Sequence, residues 1–163
     1  MSWIRKWKTN KKKYSWKKVD RACDIIAGKV FDYEPDVIVA LARGGLVPAT
    51  ILANKLNVRH VFSIGLASYN PIYGNMEVPG AVETYQKPDI QKLIRNSHAI
   101  LIVDDISDRG TTFKHVENMF REQTKYNQIQ TASLIIKPGT EFVPNYHYES
   151  VPDSTWVVFP WEN

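Results

Sequence analysis

Apolar and polar residues follow two distinguishable rhythms along the chain. From Ser15 onward, "SWKKVDRACDIIAGKVF" places Val19, Ala22, Cys23, Ile26 and Val30 at intervals of three and four. That spacing puts them on one face of a helix, with Ser15 as its N-cap. "PDVIVALA" (35–42) is instead a continuous apolar run of strand length, the pattern of a strand covered on both faces. "SHAILIVDD" (97–105) and "QIQTASLIIKPG" (128–139) have the same character. "VRHVFSIGLAS" (58–68) reads as a further strand and "DSTWVVFPW" (153–161) as a short last one. Between them, "RGGLVP" (43–48) is a turn and "ATILANKL" (49–56) a short helix. "TTFKHVENMFREQT" (111–124) is a helix with Phe113, Val116, Met119 and Phe120 on one face.

Strands alternating with helices predict an α/β fold, a doubly wound and mainly parallel sheet flanked by helices. Ligands of such sheets bind beyond the carboxyl ends of the strands. Three segments with unusual chemistry lie there: "ARGG" (42–45), "DDISDRGTT" (104–112) and "KPGT" (137–140). Residues 69–88, "YNPIYGNMEVPGAVETYQKP", break the alternation. A loop of that length inside a compact domain is usually functional, so a flexible lid is expected, with a surface hairpin as the plainer alternative.

Length and charge refine this picture. The 163 residues suit one domain spanning 1–163 with a single sizeable core. No apolar run reaches the ~20 residues that span a bilayer, and residues 1–16 hold no apolar stretch of signal-peptide length. Cys23 is the only cysteine, so no intrachain disulfide forms, and a cytoplasmic location with no membrane partner is expected. The net charge of +4 is uneven: residues 1–18 hold eight Lys or Arg and no acid, leaving a mildly acidic remainder. Residues 1–13 therefore read as a basic, solvated arm. A nucleic-acid partner is disfavoured, because nothing in the body continues the basic patch.

The carboxylates of "AILIVDDISDRGTTF" (99–113) need a partner for their repulsion. Asp104 and Asp105 end a strand, which argues against a helical DDxxD metal motif, and no G-x-x-x-x-G-K-[ST] occurs in the chain. Residues 107–112 turn into a helix and point backbone N–H groups at one spot, an arrangement that binds phosphate. Gly110 permits close approach, and the Ser107, Thr111 and Thr112 hydroxyls add donors. Beside such a cradle, two carboxylates can grip sugar hydroxyls or hold Mg²⁺ directly or through its waters. The cluster reads as a site for a ribose phosphate. His60, His98, His115 and His147 form no metal-ligand pattern.

"ILIVDDISDRGTT" resembles the phosphoribosyl pyrophosphate (PRPP) motif of type I phosphoribosyltransferases, and "ARGGLVPATILANKLNVRHV", "ASY", "IIKPG" and "DSTWVVFPW" extend the likeness to the xanthine-guanine branch of that family. The resemblance implies the family fold with a flexible hood over 69–88. It also implies a purine salvage enzyme that joins a 6-oxopurine (guanine, xanthine or hypoxanthine) to PRPP and releases pyrophosphate. Asp104 and Asp105 would bind the ribose hydroxyls and the Mg²⁺ that accompanies PRPP. Asp108 would be the acid–base residue facing purine N7, and 108–112 would cradle the 5′-phosphate. Arg43 and Gly44 match the pyrophosphate loop, whose peptide bond before the basic residue is cis in the family; Ala42–Arg43 is that bond here. Lys137 matches the donor to the 6-oxo group, Trp156 the stacking aromatic, and Val157 the backbone near the C2 substituent. Ser68 and Tyr69 match the start of the hood. Arg109 departs from the family, which usually has threonine there. Relatives form dimers or tetramers, so a homo-oligomer is implied. A non-catalytic PRPP- or nucleotide-binding regulator of the same fold is the alternative.

Overall fold

The structure, a computed structural model, describes residues 10–69, 72–73, 76–77, 81–121 and 128–162. In chain order the elements are β1 (Asn10–Lys13), α1 (Trp16–Val30), a 3₁₀ turn (Phe31–Tyr33), β2 (Val37–Ala42), α2 (Leu46–Lys55) and β3 (His60–Tyr69). They continue with β4 (Ile72–Tyr73), β5 (Met76–Glu77), β6 (Ala81–Gln86), α3 (Ile90–Arg95) and β7 (Ile100–Ser107). The chain then forms α4 (Thr111–Arg121), β8 (Ile129–Ile136), β9 (Tyr146–Ser150) and β10 (Thr155–Val158).

Six strands form the main sheet in the order β6-β3-β2-β7-β8-β9. All its pairings are parallel except β3–β6. The apolar runs of β2 and β7 feed both faces in alternation, as a doubly covered strand must. Ile38, Leu101 and Val103 meet α1 and α2 through Val19, Ile26, Ala49 and Leu52. Val39, Leu41, Ile100 and Ile102 meet α3 and α4 through Ile90, Leu93, Phe113, Val116 and Phe120. At the start of α1 the Ser15 hydroxyl accepts from the Lys18 N–H at 3.2 Å, and Val19, Ala22, Cys23, Ile26 and Val30 are buried as their spacing predicts.

The parallel strands of this sheet, numbered among themselves, run 2-1-3-4-5. That order puts the topological switch point between β2 and β7. Their ladder stops at Ala40↔Val103, so the two strands part just before Arg43 and Asp104. In open α/β sheets the ligand crevice lies at such a point.

Two expectations are corrected. The basic arm of residues 1–13 is not wholly solvated: Asn10–Lys13 form β1, paired in parallel with β10, while residues 1–9 lie outside the described residues. The segment 69–88 is not one loop. Tyr69 still belongs to β3, and 81–86 form the antiparallel edge strand β6 in register Tyr69↔Ala81; β4 and β5 make a small ladder of their own. Residues 70–71, 74–75 and 78–80 lie outside the described residues. No helix among the described residues is long and apolar enough to cross a membrane.

Candidate active site

The carboxylate pair sits at the end of β7. Asp105 is only 9% exposed and Asp104 is half-buried, and the Asp105 N–H donates to Asp104 Oδ1 at 2.9 Å. No ion pair to either carboxylate occurs among the described residues. Burial, reinforced by the Asp105 charge, pushes Asp104 well above the usual carboxylate range. Burial likewise lifts Asp105 to about 6, with the Glu162 charge adding and hydrogen bonds opposing. Two desolvated carboxylates without a counter-cation suit a hard cation. Among the described residues no group of three or more His, Cys, Asp or Glu gathers into a cage. Asp104 and Asp105 are the residues that could hold a hard cation such as Mg²⁺.

Across the crevice, the Ala42–Arg43 peptide bond is cis. Gly44 lies against the Asp105 carboxylate: a Cβ there would stand 2.2 Å from Oδ2. Gly44 is thus next to Asp105, although 61 positions of sequence separate them.

Beyond β7 the chain turns through Gly110, whose φ of +82° lies in the left-handed region. A Cβ at 110 would also strike Phe142 N at 2.5 Å and Thr140 Oγ1 at 2.9 Å. The loop 139–142 presses on the turn in other ways too, with Glu141 N–H donating to the Arg109 carbonyl at 3.0 Å. Thr111 and Thr112, half-buried, open α4, whose first-turn N–H groups have no intrahelical acceptor. Ser107 does not join them as the expected phosphate donor. Its hydroxyl is buried, donates to the Phe142 carbonyl at 2.8 Å and lies 3.0 Å from Thr140 Oγ1, so it ties the loop to the strand end. Arg109 and Asp108 are exposed. Arg109 has no carboxylate partner among the described residues.

Next to this cradle a cavity of about 280 Å³ is lined by Ile106, Asp108, Lys137, Trp156, Val157 and Phe159, with Asp153, Ser154, Thr155 and Glu162 completing the wall. Lys137 is 4% exposed; its Nζ donates to the Pro152 carbonyl at 2.9 Å and to the Thr155 carbonyl. An ammonium has three donors, so one remains for a ligand. Trp156 is 61% exposed and lies open at the cavity rim, whereas Val157 is buried. Asp108, Lys137, Trp156 and Val157 are therefore brought together. Ser68 and Tyr69 stand in the β3–β6 ladder, opposite Val82 and Ala81.

Sequence reasoning missed Glu162 and Asp153. Glu162 holds the Phe159 N–H at 2.8 Å and still reaches the Asp105 field, while Asp153 lies 3.4 Å from the Gly139 N–H. The only signal was two acids bracketing "STWVVFPW". A larger cavity, about 460 Å³, opens at the amino ends of β2 and β3, lined by Val37, His60, Phe62 and Leu93 among others. It lies at the wrong end of the sheet for a switch-point ligand.

Residues 10–162 match the phosphoribosyl transferase domain. Over 153 residues the chain is 31% identical to the xanthine-guanine phosphoribosyltransferase of Cereibacter sphaeroides, covering 91% of this chain and 84% of that protein. The enzyme of the same name from a Ruegeria species is also 31% identical, covering 91% and 83%. The crystal structure of a purine phosphoribosyltransferase from Pyrococcus horikoshii superposes with a TM-score of 0.76 at 34% identity, covering 94% of this chain and 95% of that one.

Proposed function

The chain belongs to the phosphoribosyl transferase family, and from that premise we propose that it transfers the phosphoribosyl group of PRPP to N9 of a 6-oxopurine. Pyrophosphate and a nucleoside 5′-monophosphate are the products. The observation that carries the reading is the single cavity lined by Asp108, Lys137 and Trp156, adjoining half-buried Asp104 and buried Asp105. A regulator that read PRPP alone would need no such base pocket.

In this reading residues 108–112 hold the 5′-phosphate through backbone N–H groups and the Thr111 and Thr112 hydroxyls. Asp104 and Asp105 hold the ribose hydroxyls and the Mg²⁺ that enters with PRPP. Held there, Mg²⁺ would supply positive charge to offset that of the departing pyrophosphate. Arg43 and the Gly44 N–H face that pyrophosphate across the crevice. Arg109, at the exposed rim, adds positive charge beside the phosphate.

The base lies against Trp156, and the third Lys137 donor meets its 6-oxo oxygen. A 6-amino group would set donor against donor, so adenine is rejected. As the C1′–O bond to pyrophosphate breaks and the C1′–N9 bond forms, the base loses its N7 proton to the Asp108 carboxylate. In this reading Ser68 and Tyr69, in the β3–β6 ladder, belong to the start of a hood over PRPP. Purine salvage in the cytoplasm by a homo-oligomer, a dimer or tetramer, belongs to the same reading. The test is a panel of bases with PRPP and Mg²⁺, following pyrophosphate release. Turnover with guanine, xanthine or hypoxanthine and not adenine is expected, and silence with every 6-oxopurine overturns the proposal.

A further inference from the structure

We propose that residues 10–16 are a positioning element for the purine pocket, holding the Trp156–Phe159 wall in register with Lys137 through the β1–β10 ladder and a Lys12–Glu149–Tyr14 cluster. The inference deepens the proposed function and rests on its reading of the cavity as the base site.

The strand that carries Trp156 and Val157 is not part of the main sheet. Among the described residues, β10 ladders only with β1, in the register Lys11↔Trp156 and Lys12↔Val157. Tyr14 N–H extends the ladder by donating to the Val158 carbonyl at 2.9 Å. One wall of the base pocket thus depends for its backbone pairing on a segment 145 positions away in sequence.

Side chains add two further links. Phe159, which lines the cavity, has Tyr14 on one side with ring centroids 5.4 Å apart and Trp161 stacked on it at 4.6 Å; Trp16 packs on Trp161 at 5.9 Å. Glu149 then connects this assembly to the main sheet. Its carboxylate accepts from Lys12 Nζ and Tyr14 Oη and lies 3.3 Å from Lys18 Nζ. Glu149 stands on β9 opposite Ile135 of β8, and β8 runs directly into Lys137. The cluster therefore adds a second tie between the stacking wall and the strand that leads into Lys137, beside the direct donation from Lys137 Nζ to the Thr155 carbonyl of β10.

The phosphate side is built differently. Asp104, Asp105 and the cradle belong to β7 and α4, and Arg43 follows β2; none of these ladders with β1 or β10. Loosening the clasp should reach the base and spare PRPP.

The experiment compares the full-length wild type with Lys12→Ala, Glu149→Gln, their double variant and Lys12→Arg. KM is measured for PRPP and for guanine, xanthine and hypoxanthine, beside kcat and Tm. Each single variant is expected to raise the base KM about five-fold while PRPP KM stays within about two-fold, and the double variant adds little more. Lys12→Arg restores the base KM. Variants that lower Tm or active fraction but leave base KM unchanged, or that move both KM values together, overturn the inference. A wild type silent with every 6-oxopurine overturns the proposed function itself and the inference with it, whereas an active wild type isolates failure of the clasp.

Discussion

Gly44 and Asp105 lie so close that a Cβ on residue 44 would stand 2.2 Å from the Asp105 carboxylate. The next glycine faces backbone instead: a Cβ at Gly45 would meet the Val103 carbonyl oxygen at 2.4 Å and the Leu41 carbonyl oxygen at 2.7 Å. The two positions therefore respond differently to alanine. In Gly44→Ala the carboxylate can swing aside, so the protein folds but PRPP affinity falls about ten-fold, as befits one disturbed charge-assisted contact. In Gly45→Ala neither strand can yield, and stability drops by about 2–3 kcal/mol. Calorimetric PRPP titration and thermal melts of both variants check this; equal melts, or intact PRPP binding in Gly44→Ala, would contradict it.

Burial with a like charge beside it makes the Asp104–Asp105 pair costly in the free protein. Asp105→Asn removes one charge while keeping the shape. As pH rises and ionisation of both carboxylates is increasingly demanded of the wild type, the variant should melt progressively higher than the wild type, at about 2–4 °C per kcal/mol for a chain of this size. The same change should weaken Mg²⁺-dependent PRPP binding by at least about ten-fold. A melt lowered by the substitution would mean that the pair stabilises the fold rather than waiting for a ligand.

Lys137 and Asp108 border one cavity but differ in burial, which separates their predicted phenotypes. Lys137→Ala strips a donor from the Pro152 and Thr155 carbonyls, costing about 1–3 kcal/mol of stability, and should raise base KM by roughly ten- to a hundred-fold. Exposed Asp108→Asn should leave the melt unchanged and PRPP binding within about two-fold, and lower kcat by roughly 10²–10⁴. Steady-state kinetics and melts distinguish the two. Base affinity that survives Lys137→Ala removes the ammonium from the pocket's recognition chemistry.

What could be read from the sequence follows from where each signal resides. The buried face of α1, the apolar runs of β2, β7 and β8, and the spacing of Asp104, Asp105, Asp108 and Gly110 are local patterns, and the structure carries the corresponding elements. The strand β1 has no local signal: Asn10–Lys13 is wholly polar, and its partners are Thr155–Val158 and Glu149, over 130 residues away. The edge strand β6 has half-exposed and exposed positions only, so its alternation is weak and it merges with the Gly- and Pro-rich stretch before it. Ser107 illustrates a third limit. A serine next to a phosphate-binding turn suggests a donor to phosphate, but the direction of its hydroxyl is decided by the loop 140–142, which the local sequence does not place.

The clasp also predicts how stability changes in acid. Burial disfavours the charged form of Glu149, but hydrogen bonds from Lys12, Tyr14 and Lys18 outweigh it and draw the carboxyl down from its ordinary value to about 2. A folded-state value below the unfolded one means the unfolded chain takes up the proton first. The contribution is therefore complete above about pH 5 and is lost as pH falls towards 2. Because Lys12 and Glu149 are both partly exposed, screening reduces the contribution to about 1–2 kcal/mol. Glu149→Gln lacks the titrating group, so its melting temperature should fall less steeply than that of the wild type between pH 5 and about pH 3. Other carboxylates titrate in both proteins and cancel in the difference. Thermal melts of the two across that range, at low and high salt, measure it. Parallel curves would show that Glu149 carries its charge without help from Lys12 and Tyr14, whereas convergence of the two curves in acid, smaller in high salt, is the expected result.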